Sequence, residues 1–258
     1  MSILTGAAVR GAIPAEARSE VFQLWRKDAE SGDPVAQRLT GELLLKGCGV
    51  DASTADAAAW LAKAAAQQDI IAEVILAGLQ LQGQAVAADP EEPIRLLRHA
   101  AESGHADAQH NLGVCFGKGF LVSADPAQAE RWFRLAAGQD QHMAQLALAD
   151  MLLADPADSD RAAEAARWLE QAVKAGVTGA FMPLARLYET GRGAPKDLSW
   201  ARHYYQRAAE AGVPEAKEAW RRLSEPAANN ERPAGFSPVA WAPARPAAPI
   251  VTVKATPG

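Results

Sequence analysis

The sequence predicts an all-α array of helix–turn–helix repeats. Three observations carry this expectation. One phrase recurs with an unbroken period of 36, helix starts and stops recur in phase with it, and apolar residues fall at helical spacing within each copy. The phrase reads LWRKDAESG ending at Gly32, WLAKAAAQQ at Gln68, LLRHAAESG at Gly104, WFRLAAGQD at Asp140, WLEQAVKAG at Gly176 and YYQRAAEAG at Gly212. A fixed period of this size marks a repeat array rather than a globule around one central core.

The elements follow in order. Residues 1–17 form an irregular N-terminal segment. It has no basic start and carries Arg10 in its apolar part, so it is a poor signal peptide. Residues 18–32 are a half repeat, a second helix without its first, with Leu24 in the bulky position and Trp25 beside it. It caps the stack, which solenoids require. Five repeats then run over 33–68, 69–104, 105–140, 141–176 and 177–212.

The third repeat shows the parts. Ala108, Leu112 and Phe116 share one helical face, and Gly113 beside them lets a neighbouring helix approach. Gly119 breaks the helix. Asp125-Pro126 restarts it as N-cap and first helical residue, with Gln128 at the capping-box position. Ala129, Trp132 and Ala136 share the face of the second helix. The same roles return at 36-residue steps. The N-cap reads Ser53, Asp89, Asp125 and Asp197, and the bulky position reads Trp60, Leu96, Trp132, Trp168 and Tyr204. The loop glycines read Gly47 and Gly49, Gly83, Gly119, then Gly191 and Gly193. Repeat four departs: ADPADSDRA replaces the glycine loop, and Ser159 or Asp160 is expected to start its helix.

Residues 213–225 are a capping helix whose Trp220 covers the last repeat. Residues 226–258 are rich in proline, which removes a backbone donor, and read as a flexible tail. Phe236, Trp241 and the IVTV run at 250–253 are its candidate anchors, for docking on the array's own groove or on a partner.

The net charge of −5 argues against nucleic acid, which needs a basic face. Cys48 and Cys115 sit at different repeat positions, which leaves no disulfide framework and fits a reducing compartment. No run of about 18 apolar residues suggests a membrane span. Cytoplasm is the expected location, with export left open.

Catalytic patterns are missing. There is no His-Glu-x-x-His, no Cys-x-x-Cys, no Gly-x-Ser-x-Gly, and the GKG at 117–119 lacks the length and hydroxyl of a phosphate loop. No metal site, cofactor or catalytic residue is expected.

These residues resemble the Sel1-like repeat, a relative of the tetratricopeptide repeat. Repeat five carries the resemblance through Ala180, Leu184, Tyr188, Gly191, Gly193, Asp197, Ala201, Tyr204, Ala208, Ala209 and Gly212. Repeat one carries it through Ala36, Gly41, Gly47, Gly49, Val50, Trp60, Ala64 and Ala65. The resemblance covers about residues 18–223. It implies a right-handed superhelix of helix pairs whose first helices line a concave face. It also implies a non-catalytic scaffold or adaptor that grips a protein or peptide; an accessory subunit of an enzyme or of an envelope or secretion assembly is the alternative, and a hydrolase the remote one. Projected from the related arrays, the ligand-contacting positions are Arg38, Glu42, Lys46, Gln82, His110, Lys118, Asp150, Arg186 and Glu189. Val35, Val74, Leu81, Val114, Met143 and Met182 are the apolar members of the same face.

Overall fold

The structure, a computed structural model, describes residues 14–87 and 89–224. Among these residues it is all-α. The helices are α1 (Ala15–Glu30), α2 (Pro34–Lys46), α3 (Thr54–Ala65), α4 (Ile70–Leu81), α5 (Glu92–Glu102), α6 (Ala106–Lys118), α7 (Pro126–Ala137), α8 (His142–Leu152), α9 (Ser159–Lys174), α10 (Phe181–Thr190), α11 (Leu198–Glu210) and α12 (Pro214–Ser224). A short 3-10 turn at Thr178–Ala180 precedes α10. The chain divides into two compact units, residues 1–151 and 152–258, with the boundary inside the fourth repeat.

In the first unit α1 to α7 pack each on the next in sequence, and in the second α9 to α12 do the same. Alanine makes the close approach possible. Ala36, Ala57, Ala64, Ala72, Ala77, Ala100, Ala108 and Ala129 have no exposed surface in the first unit, nor do Ala162, Ala165, Ala201 and Ala208 in the second. Gly41 and Gly113 serve the same end. A Cβ on Gly41 would lie 2.8 Å from Leu61 Cγ, and one on Gly113 would lie 2.7 Å from the Phe133 ring.

The helix starts divide the sequence expectations. Ser53, Asp125 and Asp197 cap α3, α7 and α11, each accepting a bond from a backbone N–H two or three residues on. Asp89 does not cap α5. Pro93, four residues after Asp89, has no N–H to return to the Asp89 carbonyl, so the helix begins only at Glu92, and the Asp89 side chain accepts instead from Glu91 N in a tight turn. In repeat four the helix begins at Ser159 with Asp158 as its cap, three residues earlier in phase than α3, α7 and α11. At the N-terminus α1 begins at Ala15 rather than 18.

The bulky position also shifts by one. The deepest side chains are Leu61, Leu97, Phe133, Leu169 and Tyr205, again 36 apart, with Trp25 at the same phase in α1. The residue before each is shallower. Leu24 is 65% exposed, Trp60, Leu96, Trp168 and Tyr204 are half-buried, and only Trp132 is buried. The physical reason is the 100° step of a helix: one residue further on points between the two first helices, while the Trp lies along the rim of the contact. There Lys63 sits over the Trp60 ring at 4.1 Å and the Trp168 indole donates to Glu164.

Gly47, Gly119 and Gly191 close α2, α6 and α10 in the left-handed conformation, as their spacing predicts. Trp220 of α12 packs against the core formed by Phe181, Tyr205 and Ala208. Cys48 and Cys115 are buried free thiols.

Candidate protein-binding surfaces

The first helices of the first unit, α2, α4, α6 and α8, carry most of the projected contact residues, and the structure sorts them. Arg38, Glu42 and Lys46 form one network. Arg38 bonds Glu42 at 2.6 Å and Asp69, the cap of α4, at 3.2 Å, and Lys46 approaches Glu42 at 3.9 Å. Arg38 thus ties α2 to the start of α4, and Glu42 holds its guanidinium within α2. His110 is half-buried on α6, its ring 5.8 Å from that of Phe133 and its Nδ1 3.2 Å from the Asn111 side-chain oxygen. Burial holds its pKa below the ordinary histidine value. Gln82, Lys118 and Asp150 are exposed at separate helices. Lys46 and Lys118 end α2 and α6, where the helix dipole favours a cation.

In the second unit Arg186 is exposed, but Glu189 is held in place. It accepts from the Tyr205 hydroxyl at 2.6 Å and from Arg222 of α12, linking α10 to α11 and α12. The tail anchors Phe236 and Trp241 lie outside the described residues.

Along the same first helices runs a row of exposed apolar side chains. Val35 is 45%, Ile71 44% and Met143 51% exposed. They sit at one phase of the repeat, the second residue of α2, α4 and α8, with Asp107 in the matching place on α6. Ile71 belongs with Val35 and Met143, since the 36-residue period itself places it there.

A second feature of the first unit was hidden in the sequence. Gln37, Gln109 and Gln145, buried and in phase, each donate to the last turn of the preceding helix, at Ala29 O, Ala101 O and Ala137 O. The remaining copy in the unit is Glu73, which as a carboxylate has no proton to give. It is 3% exposed and takes a bond from His99 Nδ1 of α5 at 2.7 Å. Glu73 and His99 line a cleft of about 420 Å³ between α3 and α5, over Leu76 of α4. An adjoining cleft of about 500 Å³ shares Ala62, Leu76 and Glu92. The clefts exist because α3 offers mainly alanine to them. No serine, threonine or cysteine lines either one. Among the described residues no group of His, Cys, Asp and Glu could hold a metal ion, and no helix is long and apolar enough to cross a membrane.

Comparison with family models matches the Sel1 repeat at residues 34–69, 70–105, 106–140, 142–177 and 184–213. The chain belongs to the Sel1 repeat family. It is similar to the solved structure of a protective antigen present in uropathogenic Escherichia coli strains, which displays an SLR fold. The two are 26% identical with a TM-score of 0.77, over 85% of this chain and 47% of that one. A Sel1 repeat protein from Oxalobacter formigenes is 28% identical with a TM-score of 0.68, over 78% and 58%. The chain therefore spans about half the length of these two relatives. An immunity protein of Pseudomonas aeruginosa, 16% identical with a TM-score of 0.51 over 80% and 81%, shares the fold alone. No curated protein sequence matches. The family assignment makes the chain an α/α solenoid of Sel1 repeats, a fold whose members generally serve as protein-interaction scaffolds.

Proposed function

We propose that this Sel1 repeat chain is a non-catalytic scaffold that holds a protein or peptide partner on the first helices of its first unit. The observation that carries the reading is the row Val35, Ile71 and Met143, large apolar residues exposed at one repeat phase on three helices. An isolated exposed apolar residue is ordinary, but a row recurring in phase is a surface. Lys46, Gln82 and Lys118 recur in phase at the other ends of α2, α4 and α6, giving the row a polar margin. Arg38, Glu42 and His110 support this face by holding the helices together, and Lys118 and Asp150 are its exposed charges. The absence of a hydroxyl or thiol beside Glu73 and His99 supports the non-catalytic reading.

A photo-crosslinking residue placed at 71 or 143, in the full chain and in native lysate, tests this. Adducts should form from both positions and not from position 131, which is exposed on the second helix α7. I71E with M143E should abolish them with helicity unchanged. Equal adducts from position 131, or none from 71 and 143, refute the assignment of the face.

A further inference from the structure

We propose that the fifth repeat carries a reader for a polyproline II helix, and that residues 243–249 of the same chain occupy it. The proposal stands apart from the first-helix reading and lies wholly in the second unit.

The starting point is one residue out of pattern. Near the start of the second helix, repeats one to four hold Asp56, Glu92, Gln128 and Glu164, and repeat five holds Trp200. The polar versions have local bonding roles: Gln128 bonds Asp125, Glu92 accepts from Gln80, and Glu164 accepts from Trp168. Trp200 is 38% exposed. Its ring is stacked on Tyr204 at 5.6 Å and 22°, and tilted by 30° against Tyr188 at 6.4 Å. Tyr188 and Tyr204 stack at 5.9 Å. His203 stands edge-on to Trp200 and Tyr204.

The polar edges of this aromatic face decide what fits it. The Trp200 indole N–H and the His203 ring have no hydrogen-bond partner among the described residues, while the Tyr188 hydroxyl donates to Glu170. A helical ligand has already paired its own carbonyls. A polyproline II strand has no internal hydrogen bonds, so its carbonyls need donors, and aromatic-lined grooves take its proline edges. The face is also acidic beside Tyr188: burial raises the phenol's pKa, and the carboxylates of Glu170 and Asp197 add to the rise.

The chain itself contains a matching segment. Pro243, Pro246 and Pro249 are three residues apart, and polyproline II has three residues per turn, so all three fall on one edge. Arg245 lies between them and meets the acidic margin. The tail leaves the structure from α12, which packs on α11, the helix that carries Trp200, His203 and Tyr204. Residues 225–242 span up to about 55 Å as a polyproline II chain, ample to return to that helix. Tethering supplies an effective concentration of about 1 mM, so a segment that binds at about 100 µM is bound in cis about nine-tenths of the time.

The test uses full-length protein labelled with 5-fluorotryptophan, the Trp200 signal being assigned through W200F. The triple variant P243A/P246A/P249A, altered only outside the repeats, should shift the Trp200 resonance. A peptide of residues 240–251 added in trans should restore it, with an apparent affinity about tenfold tighter for the triple variant than for the native chain. An unshifted resonance, or no peptide binding to the triple variant at 1 mM, overturns the proposal. So does binding that survives W200A with Y188A. A shift that depends on protein concentration would assign the tail to a second copy and overturn the intramolecular claim. Equal affinity of a decaproline peptide for both chains would leave the face free for an outside ligand and overturn the cis occupant.

Discussion

Replacing Gly49 with alanine should destabilise the first unit far more than replacing Gly104. Both residues have positive φ, +77° and +92°. Alanine in that region costs about 1 kcal/mol at either position. At Gly104 nothing lies within 4 Å of the added Cβ, and the conformational term is the whole effect. At Gly49 the Cβ would sit 2.2 Å from the carbonyl oxygen of Arg18 in α1, against an ordinary contact of 3.4 Å or more. The loop and the helix backbone must separate by over an ångström. Overpacking of this kind adds about 1–3 kcal/mol, so the total is roughly 2–4 kcal/mol. The site has a twin. Gly193 lies four repeats on, and its Cβ would meet Ala162 of α9 at 2.3 Å. The reason for the pair lies in the helices. α1 and α9 start three residues earlier in phase than α3, α7 and α11, and this extra turn is what the two glycines lie against. Where the preceding helix lacks it, the same loop position holds Ala85, Leu121 or Ala157, and Leu121 even keeps a φ of +58°. Urea denaturation followed by circular dichroism measures the difference, and hydrogen exchange locates it. Repeat arrays lose stability through nearest-neighbour contacts, so the amides of α1 should open first in G49A. If G49A and G104A agree within about 0.5 kcal/mol, or α1 exchanges as in the native chain, the close approach does not seat α1.

Three further outcomes follow from the same geometry. E73Q should stabilise the chain by a few tenths to about 1 kcal/mol, because glutamine can donate to the preceding helix as Gln37, Gln109 and Gln145 do while its side-chain oxygen still accepts from His99; a lower urea midpoint would sink this. D140G should stabilise the chain by a few tenths to about 1 kcal/mol, since Asp140 holds a φ of +58° where Gly104 and Gly176 serve the same turn; an unchanged urea midpoint would mean that the aspartate is unstrained there. Burial depresses the His110 pKa in the folded state, so the unfolded chain takes up the proton first. Stability is then full above the unfolded value of 6.5 and falls as pH drops from there toward the folded pKa. The loss of Tm between pH 7.5 and 5.5 should be smaller in H110N, and an equal loss would refute the assignment.

The parts of the fold that local chemistry specifies were legible in the sequence. Ser53, Asp125 and Asp197 cap their helices because a short polar side chain reaches the open N–H groups wherever it is placed. Asp89 has the same side chain and spacing but fails, because Pro93 has no N–H to return to its carbonyl and the helix starts later. On the second helices the sequence points one residue too early, because Trp is the largest side chain in the phrase. Burial follows angle rather than size, and the smaller Leu61, Leu97 and Leu169 hold the interior. The surfaces were harder still, because projection from related arrays carries positions but not partners. Arg38, Glu42 and Glu189 occupy projected contact positions, yet all are paired: Arg38 with Asp69 at the start of α4, Glu42 with Arg38 and Lys46 on its own helix, and Glu189 with Tyr205 and Arg222. What separates a contact residue from a structural one is whether its polar atoms are already paired, and that is a property of the assembled repeats. The informative residues are those that break the 36-residue pattern: Glu73 among buried glutamines, Trp200 among acids and amides, and Gly49 and Gly193 against the two long helices. A repeat array repeats what its fold requires, so a departure marks either a compensation, as at the two glycines, or a place where the chain meets something else, as at Trp200.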